Sequence, residues 1–266
     1  MVKGLYTAYT GMVEEQRRLD VLSNNLANSD TVGYKKEGTV NQAFRNMLAI
    51  KIKDTGTYMV NMGVGDVRLG DKVGETYTDY SQGSFEVTDV QSDVALAGKG
   101  FFAVSHANND GTTAIRYTRD GAFTVDVNGY LRTSDGDYVL NRAGAMNSAN
   151  NPGNYVRVNP LRDYTISTNG DIYQDNVVIG NIGVVDFENY DFLSKTSDNL
   201  YIPVEGATII PSEAEFEQGM LEASNVNVID EMVNMITIQR AYETGQKMIQ
   251  TEDSTLEQAA NNVGRV

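Results

Sequence analysis

After Pro211 the chain contains no further proline, and from Val228 to Val263 its residues fall on one heptad seam. Val228, Met232, Met235, Tyr242, Ile249, Leu256, Ala260 and Val263 occupy that seam, with Gln239, Gln246 and Asp253 between them. Alternating steps of four and three residues put all of these on one side of an α-helix. Asn227, with Asp230 three residues on, supplies a helix start. The pattern permits a single helix of about 35 residues, roughly 50 Å long. The other end of the chain mirrors it: Leu5, Ala8, Met12, Glu15, Leu19, Leu22 and Leu26 keep the same spacing, Glu15 being the exception. Asn28, Ser29, Asp30 and Gly33 then break the helix.

Neither helix has anything local to bury its stripe against. Isolated helices in water are marginal, because nucleation is costly and each added residue gains little. Each Leu or Met left exposed forgoes about 1.5–3 kcal/mol of burial. The stripes therefore demand a partner, either the other terminal helix or copies from neighbouring subunits. Charge does not set the register. Residues 1–36 carry five bases and four acids, a net +1, whereas residues 212–266 carry three bases and ten acids, a net −7.

The middle of the chain reads differently. Between about Gly74 and Pro211 fall Asp110-Gly111, Asp120-Gly121, Asn128-Gly129, Asp135-Gly136 and Asn169-Gly170, pairs that supply positive φ at hairpin turns. Between them run β-prone stretches such as Gly100-Phe-Phe-Ala-Val104, Ala122-Phe-Thr-Val-Asp-Val127 and Ile182-Gly-Val-Val-Asp-Phe187. Their short spacing suits an antiparallel β domain better than βαβ units. The expected fold class is α+β: long N- and C-terminal helices forming a coiled-coil-like stalk, with a central antiparallel β domain. The expected divisions are 1–33 and 220–266 as a terminal helical assembly domain, 74–215 as the β domain, and 34–73, which has no clear period, as an extended or irregular linker.

Few chemistries survive the composition. With 21 Lys+Arg against 36 Asp+Glu the formal charge is −15, and no basic patch offsets it, which argues against nucleic acid. Cysteine is absent, so thiol catalysis and Cys-bearing zinc sites are excluded, and a lone His106 excludes any motif that needs two histidines. Ala97-Gly-Lys-Gly-Phe-Phe-Ala103 matches the dinucleotide fingerprint only in letters. The fingerprint needs a helix after its second glycine, whereas Phe-Phe-Ala-Val-Ser is β-prone. Counting from Asp126 as a calcium loop puts Tyr130 at position 5 and Asp137 at position 12, and the pattern fails. No Gly-x-Ser-x-Gly occurs, and among 36 acids no catalytic carboxylate pair stands out. The expectation is no enzyme, no catalytic residue, no cofactor, no metal and no small-molecule substrate. No apolar run approaches the roughly 18 residues of a membrane span, so no membrane insertion is expected, and no cleaved secretory signal is indicated.

The two helical ends carry a resemblance. Leu19-Asp-Val-Leu-Ser-Asn-Asn-Leu-Ala-Asn28 followed by Thr31-Val-Gly-Tyr-Lys35 resembles the N-terminal signature of the bacterial flagellar rod and hook proteins. Glu222-Ala-Ser-Asn-Val-Asn227 and Met232-Val-Asn-Met-Ile-Thr-Ile-Gln-Arg-Ala-Tyr-Glu243 resemble their C-terminal signature. Leu96-Ala-Gly-Lys-Gly-Phe-Phe102, Tyr117-Thr-Arg-Asp-Gly-Ala-Phe123, Asn128-Gly-Tyr-Leu131 and Asn199-Leu-Tyr201 are similar to the β domain of the rod proteins, in the same order. Residues 141–176 match poorly.

The resemblance implies a structural subunit of the flagellar basal-body rod, stacking helically into a hollow shaft that carries motor torque to the hook. Within the family, the length and the 34–73 segment are nearest the distal rod type, with the proximal rod and hook types as alternatives. Terminal helices of the family pair in the inner tube, so Leu5, Met12, Leu19, Leu22 and Leu26 are expected to pack with Met232, Met235, Tyr242, Ile249 and Leu256, within and between subunits. Asn24, Asn25, Asn28, Ser224, Asn225 and Asn227 are candidates for capping the helix ends. Family members leave the cell unfolded through the flagellar type III export apparatus without a cleaved signal, and Phe44-Arg-Asn-Met-Leu48 resembles their export-gate motif, with Phe44 and Leu48 its two fixed positions. The implied partners are copies of the chain, other rod and hook proteins, and that apparatus. A rival reading from another class is an acidic β-rich module binding a ligand or cation, dimerised by its helices.

Overall fold

The computed structural model describes residues 2–43, 47–50, 63–67, 70–108, 112–147, 151–196 and 199–263. The chain is α+β and divides into two compact units: Met1–Ala27, Lys36–Asp79 and Val226–Val266 form one, and Asn28–Lys35 with Tyr80–Asn225 form the other.

In the first unit the N-terminal helix is Val2–Ala27 and the C-terminal helix is Val228–Val263. They pack against each other and run antiparallel, with Gly4 beside Glu252 and Gly245 beside Met12. A Cβ on Gly245 would sit 2.6 Å from Met12 Cγ, so the glycine is there for close approach. It offsets the roughly 1 kcal/mol that glycine costs inside a helix. The covered face of the C-terminal helix is Glu231, Met235, Ile238, Tyr242, Gly245, Ile249 and Glu252. The stripe expected from the sequence agrees at Met235, Tyr242 and Ile249, but the positions between them shift by one residue. Gln239, Gln246 and Asp253 are exposed, as is Met232. Ile238 can be buried at no polar cost and Gly245 makes room for Met12, whereas Gln239 and Gln246 keep their amides in water.

The same unit holds two strand pairs that begin in the segment without a period, 34–73, one of which runs past its end to Thr78. Strand Glu37–Ala43 pairs antiparallel with Asp71–Thr78, with a bulge at Val40/Asn41. Met47–Ile50 pairs with Gly63–Val67. Residues Val40–Ala43 and Gly74–Tyr77 are exposed, so no apolar alternation marks these strands.

The second unit is built on the strand Phe101–Ala107, which pairs antiparallel with Thr113–Thr118, Tyr138–Val139 and Val184–Phe187. The sheet continues through Leu200–Pro203 to Leu193–Lys195 on one side and through Leu131–Thr133 to Phe123–Val125 on the other. Phe101 through Ser105 are buried, because both faces of this strand are covered. Phe102 packs with Val94, Leu96, Phe123, Leu131 and Phe216 on one side, and Phe101 with Tyr117, Val185, Phe187 and Tyr201 on the other. Three small antiparallel sheets complete the unit: Val94–Ala97 with Glu215–Gln218, Phe85–Val87 with Met220–Glu222, and Thr165–Ile166, Asp171–Gln174 and Val177–Asn181 in order.

Gly129, Gly136 and Gly170 have the positive φ expected at their turns. Gly121 does not, and its role differs from the expected one. A Cβ there would lie 1.7 Å from the carbonyl oxygen of Val94, so close packing, and not turn geometry, demands glycine. Gly111 lies outside the described residues.

Candidate functional site

The segments that carry the family resemblance make their contacts within each of the two units taken separately. In the first unit, Asn25 is buried at the last turn of the N-terminal helix, and its side-chain amide grips one residue of the following strand. Asn25 Nδ2 donates to Glu37 O at 2.8 Å, and Glu37 N donates to Asn25 Oδ1 at 2.9 Å. The amide thus replaces a strand neighbour, satisfying both backbone groups of Glu37. Asn227 begins the other helix. Its Oδ1 accepts from Ile229 N at 3.1 Å and Asp230 N at 3.5 Å, and Glu231 N donates to Asn227 O. Asp230 and Glu231 in the first turn add favourable charge at the positive end of the helix dipole.

The six polar residues grouped as helix caps therefore divide by role. Asn227 caps, but Asn25 stitches helix to strand. In the β unit Asn225 donates from its backbone N to Tyr34 O at 3.4 Å and from Nδ2 to Ser81 O at 3.2 Å. Asn28 O accepts from Thr31 N at 3.3 Å and its Oδ1 from Thr31 Oγ1 at 3.2 Å, a turn that stops the chain after the helix. Asn24 is exposed on the helix and Ser224 is half-buried beside Asn225.

In the β unit three separate sequence motifs meet on one carboxylate. Glu222 is 1 % exposed. Its Oε1 accepts from Lys35 Nζ at 2.6 Å and Gly83 N at 2.9 Å, and its Oε2 from Arg119 NH1 at 3.2 Å. Its backbone oxygen accepts from Gly33 N at 2.7 Å. Lys35 and Arg119 are buried as well, and each has a further anchor: Lys35 Nζ on Ser81 O at 2.8 Å and Arg119 NH2 on Gly98 O at 2.7 Å. Gly33, at φ +66°, approaches so closely that a Cβ would lie 2.5 Å from the carbonyl carbon of Arg119. Lys195 Nζ sits 3.6 Å over the Tyr34 ring and donates to Lys35 O, while Asn199 Nδ2 donates to Val32 O. Residues 31–35 are thus threaded into the β unit by groups contributed from 119, 195, 199 and 222. Sequence reasoning found the motifs but not that they were one contact. The signal available was that a lysine, an arginine and a glutamate each lie within a motif that carries the resemblance.

Two carboxyls elsewhere are perturbed. Glu14, buried on the N-terminal helix, has its pKa raised by desolvation first, then by Asp71 and Glu15, with Arg18 acting in the opposite sense. Asp120 is pushed up to about 6, mainly by burial and partly by Asp135 and Asp93, against the hydrogen bond it accepts from Ala122 N. The backbone N of Asp120 donates to Thr118 Oγ1, and both bonds shape the turn into Gly121. His106 Nδ1 lies 2.8 Å from Asp137 Oδ2. Among the described residues no cluster of His, Asp and Glu is arranged to hold a metal ion.

The expected interface residues separate into covered and uncovered groups. Leu5, Met12, Leu19, Leu22, Leu26, Met235, Tyr242 and Ile249 are half-buried within the single chain, whereas Met232 and Leu256 are exposed. Ile229, Val233 and Ile236, which flank Met232, are also exposed. Phe44 lies outside the described residues; Leu48 falls in strand Met47–Ile50, with its side chain outside them.

Comparison with known proteins follows the same segments. Residues 5–35 match the family model described as flagella basal body rod protein, residues 95–185 the flagellar hook protein FlgE/F/G D1 domain, and residues 217–262 the flagellar basal body rod FlgEFG protein C-terminal region. Flagellar basal-body rod protein FlgG of Borreliella burgdorferi is 34% identical over 278 residues, covering 100% of both chains. The chain belongs to the flagellar basal-body rod protein family. FlgG of Buchnera aphidicola from Acyrthosiphon pisum is 33% identical over 268 residues, covering 97% of this chain and 98% of its own. Flagellar basal-body rod protein FlgF of Caulobacter vibrioides is 30% identical over 268 residues, covering 100% of both. The family is one of structural proteins of the flagellar basal body and not an enzyme family. Lys35 and Glu222 lie in its two terminal regions and Arg119 in its D1 region, so the Glu222 cluster joins all three.

Proposed function

We propose that the chain is the distal-type subunit of the flagellar rod, stacking helically with copies of itself and with other rod and hook proteins into a hollow shaft that carries torque to the hook. The observation that supports it is end-to-end similarity to rod proteins in a chain whose C-terminal helix still offers an apolar stripe, Ile229, Met232, Val233 and Ile236, to solvent. Leu5, Met12, Leu19, Leu22, Leu26, Met235, Tyr242 and Ile249 hold the helical pair together as a coiled-coil-like stalk, and Met232 and Leu256 face neighbouring subunits. The β unit is pinned internally at Glu222, which binds Lys35, Gly83 and Arg119. The chain reaches the rod through the flagellar type III export apparatus without a cleaved signal, and Phe44 and Leu48 engage the export gate.

Deleting the gene and examining isolated basal bodies by electron microscopy tests this reading. The expected result is truncated rods that bear no hook and cells that do not swim, both restored by the wild-type chain. Complete hook–basal bodies in the deletion strain would refute it. Phe44→Ala should leave the chain in the cytoplasm at unchanged expression; normal export of that variant would remove the gate assignment alone.

A further inference from the structure

Strand Asp71–Thr78 begins against the N-terminal helix, beside a buried carboxyl group. Thr10 and Glu14, four residues apart on one face of that helix, are 9 and 7 % exposed. Gly70, at φ +123°, comes so close that a Cβ would lie 2.2 Å from Thr10 Oγ1, and Asp71 follows it. Among the described residues, the groups that act on Glu14 are mostly acids. Asp71 does so from the strand and Glu15 from the helix, while the guanidinium of Arg18, the opposing cation, is already bonded to Glu15, NH1 to Oε2 at 3.1 Å. Arg17 and Lys72 are exposed. The C-terminal helix, with Gly245 beside Met12, brings Tyr242 to this level, and its acids Glu231 and Glu252 lie about three turns away on either side. Strand Glu37–Ala43 sets Ala43 opposite Asp71 and carries its one charge, Glu37, at the far end.

We propose that Glu14 is a proton-operated latch on strand Asp71–Thr78: with its carboxyl neutral the strand start beds on the N-terminal helix, and with it ionised the carboxylate is left beside Asp71 and the strand start lifts away. The latch does not depend on the rod-subunit reading. Burying an ionised carboxylate without a paired cation is costly, whereas the neutral acid loses far less on leaving water. Burial first, then Asp71 and Glu15, hold the Glu14 pKa above its ordinary 4.5, against Arg18. A carboxyl whose folded value is raised stabilises the docked state at low pH, and that contribution is lost as pH rises through the folded value. Movement is confined to one end of the strand pair. Asn25 grips Glu37, which lies opposite Thr78, so that end stays tied to the helix while the Asp71 end is free to lift.

Hydrogen exchange of residues 71–78 is measured for the wild-type chain and for Glu14→Gln at the same pH, at steps from 4.5 to 8. The pH dependence of the exchange chemistry then cancels in the ratio. The expected ratio, wild type over variant, is several-fold at pH 8 and falls towards one at pH 4.5, while that of strand Phe101–Ala107 stays near one. A ratio that does not change with pH would make Glu14 a packing residue and overturn the latch. Asp71→Asn, at an exposed position, keeps the test if Glu14→Gln fails to fold. The ratio of wild type to Asp71→Asn should also rise with pH, though by less, and a flat ratio would overturn the latch equally.

Discussion

Replacing Glu222 by Gln probes the point where the chain's motifs meet. The carboxylate accepts from Lys35 Nζ, Gly83 N and Arg119 NH1, all within 3.2 Å, in a site with almost no solvent. Glutamine keeps the shape but removes the charge and turns one acceptor into a donor facing cations, leaving two buried positive groups without a counter-ion. Breaking a buried pair by removing one partner costs about 3–5 kcal/mol. At roughly 2–4 °C per kcal/mol for a domain of this size, melting of the β unit should fall by roughly 6–20 °C. The chain has no Trp and 15 Tyr, so near-ultraviolet circular dichroism of the tyrosines follows this unit during heating. Adding Lys35→Met to Glu222→Gln removes one of the orphaned charges and should recover part of the loss. Because residues 31–35 dock through this cluster, hydrogen exchange there should rise in the single variant more than exchange in strand Phe101–Ala107. A melting point within 2 °C of the wild type would refute the reasoning, since it would mean the cluster is neutral to folding.

Asn227→Ala removes two acceptor contacts at the start of the C-terminal helix and should cost about 1 kcal/mol, read as faster hydrogen exchange at residues 229–231, while Asn227→Asp should not. Asp120 titrates near 6 in the fold against an ordinary value of 3.8, so the folded state binds its proton first and stability should rise as pH falls from above 6 towards 3.8. The rise is on the order of 1–3 kcal/mol, and urea midpoints of Asp120→Asn should lack it, whatever slope other carboxyls add. Gly121→Ala forces a methyl against the Val94 carbonyl and should disrupt the β unit outright, seen as loss of the near-ultraviolet signal at 25 °C; an unchanged spectrum would count against the close approach.

Both helices and the antiparallel β unit were legible in the sequence because long periodic runs and Asx-Gly turns are local signals. The helix starting after Asn227 is an example: cap, acidic first turn and absence of proline all lie within the element. The hairpin Glu37–Ala43 with Asp71–Thr78 was not legible, since most of its residues are exposed and the bulge at Val40/Asn41 breaks any period. Nor was the turn at Asp175-Asn176, where both residues take positive φ without a glycine. The one-residue shift of the helix seam arose because Gln239 and Gln246 fit the spacing as well as Ile238 and Gly245, and only packing against Met12 decides between them. For the candidate site, the resemblance picked out Asn25, Lys35, Arg119, Glu222 and Asn227 within motifs, but Lys35 and Glu222, for example, lie 187 positions apart. No pattern within a window of a few residues reports such a contact.

Brief protease digestion, read by mass spectrometry, of the purified chain beside the same chain in isolated basal bodies tests directly whether this is a subunit completed by its neighbours. In the free chain the earliest cuts should fall before Asn28 and after Asn225, because residues 28–35 and 220–225 are locked into the β unit while the exposed apolar stripe and residues 253–262 have no cover. In basal bodies the same helices should be protected. Equal cutting of residues 228–263 in both samples would contradict the assembly role of the helices.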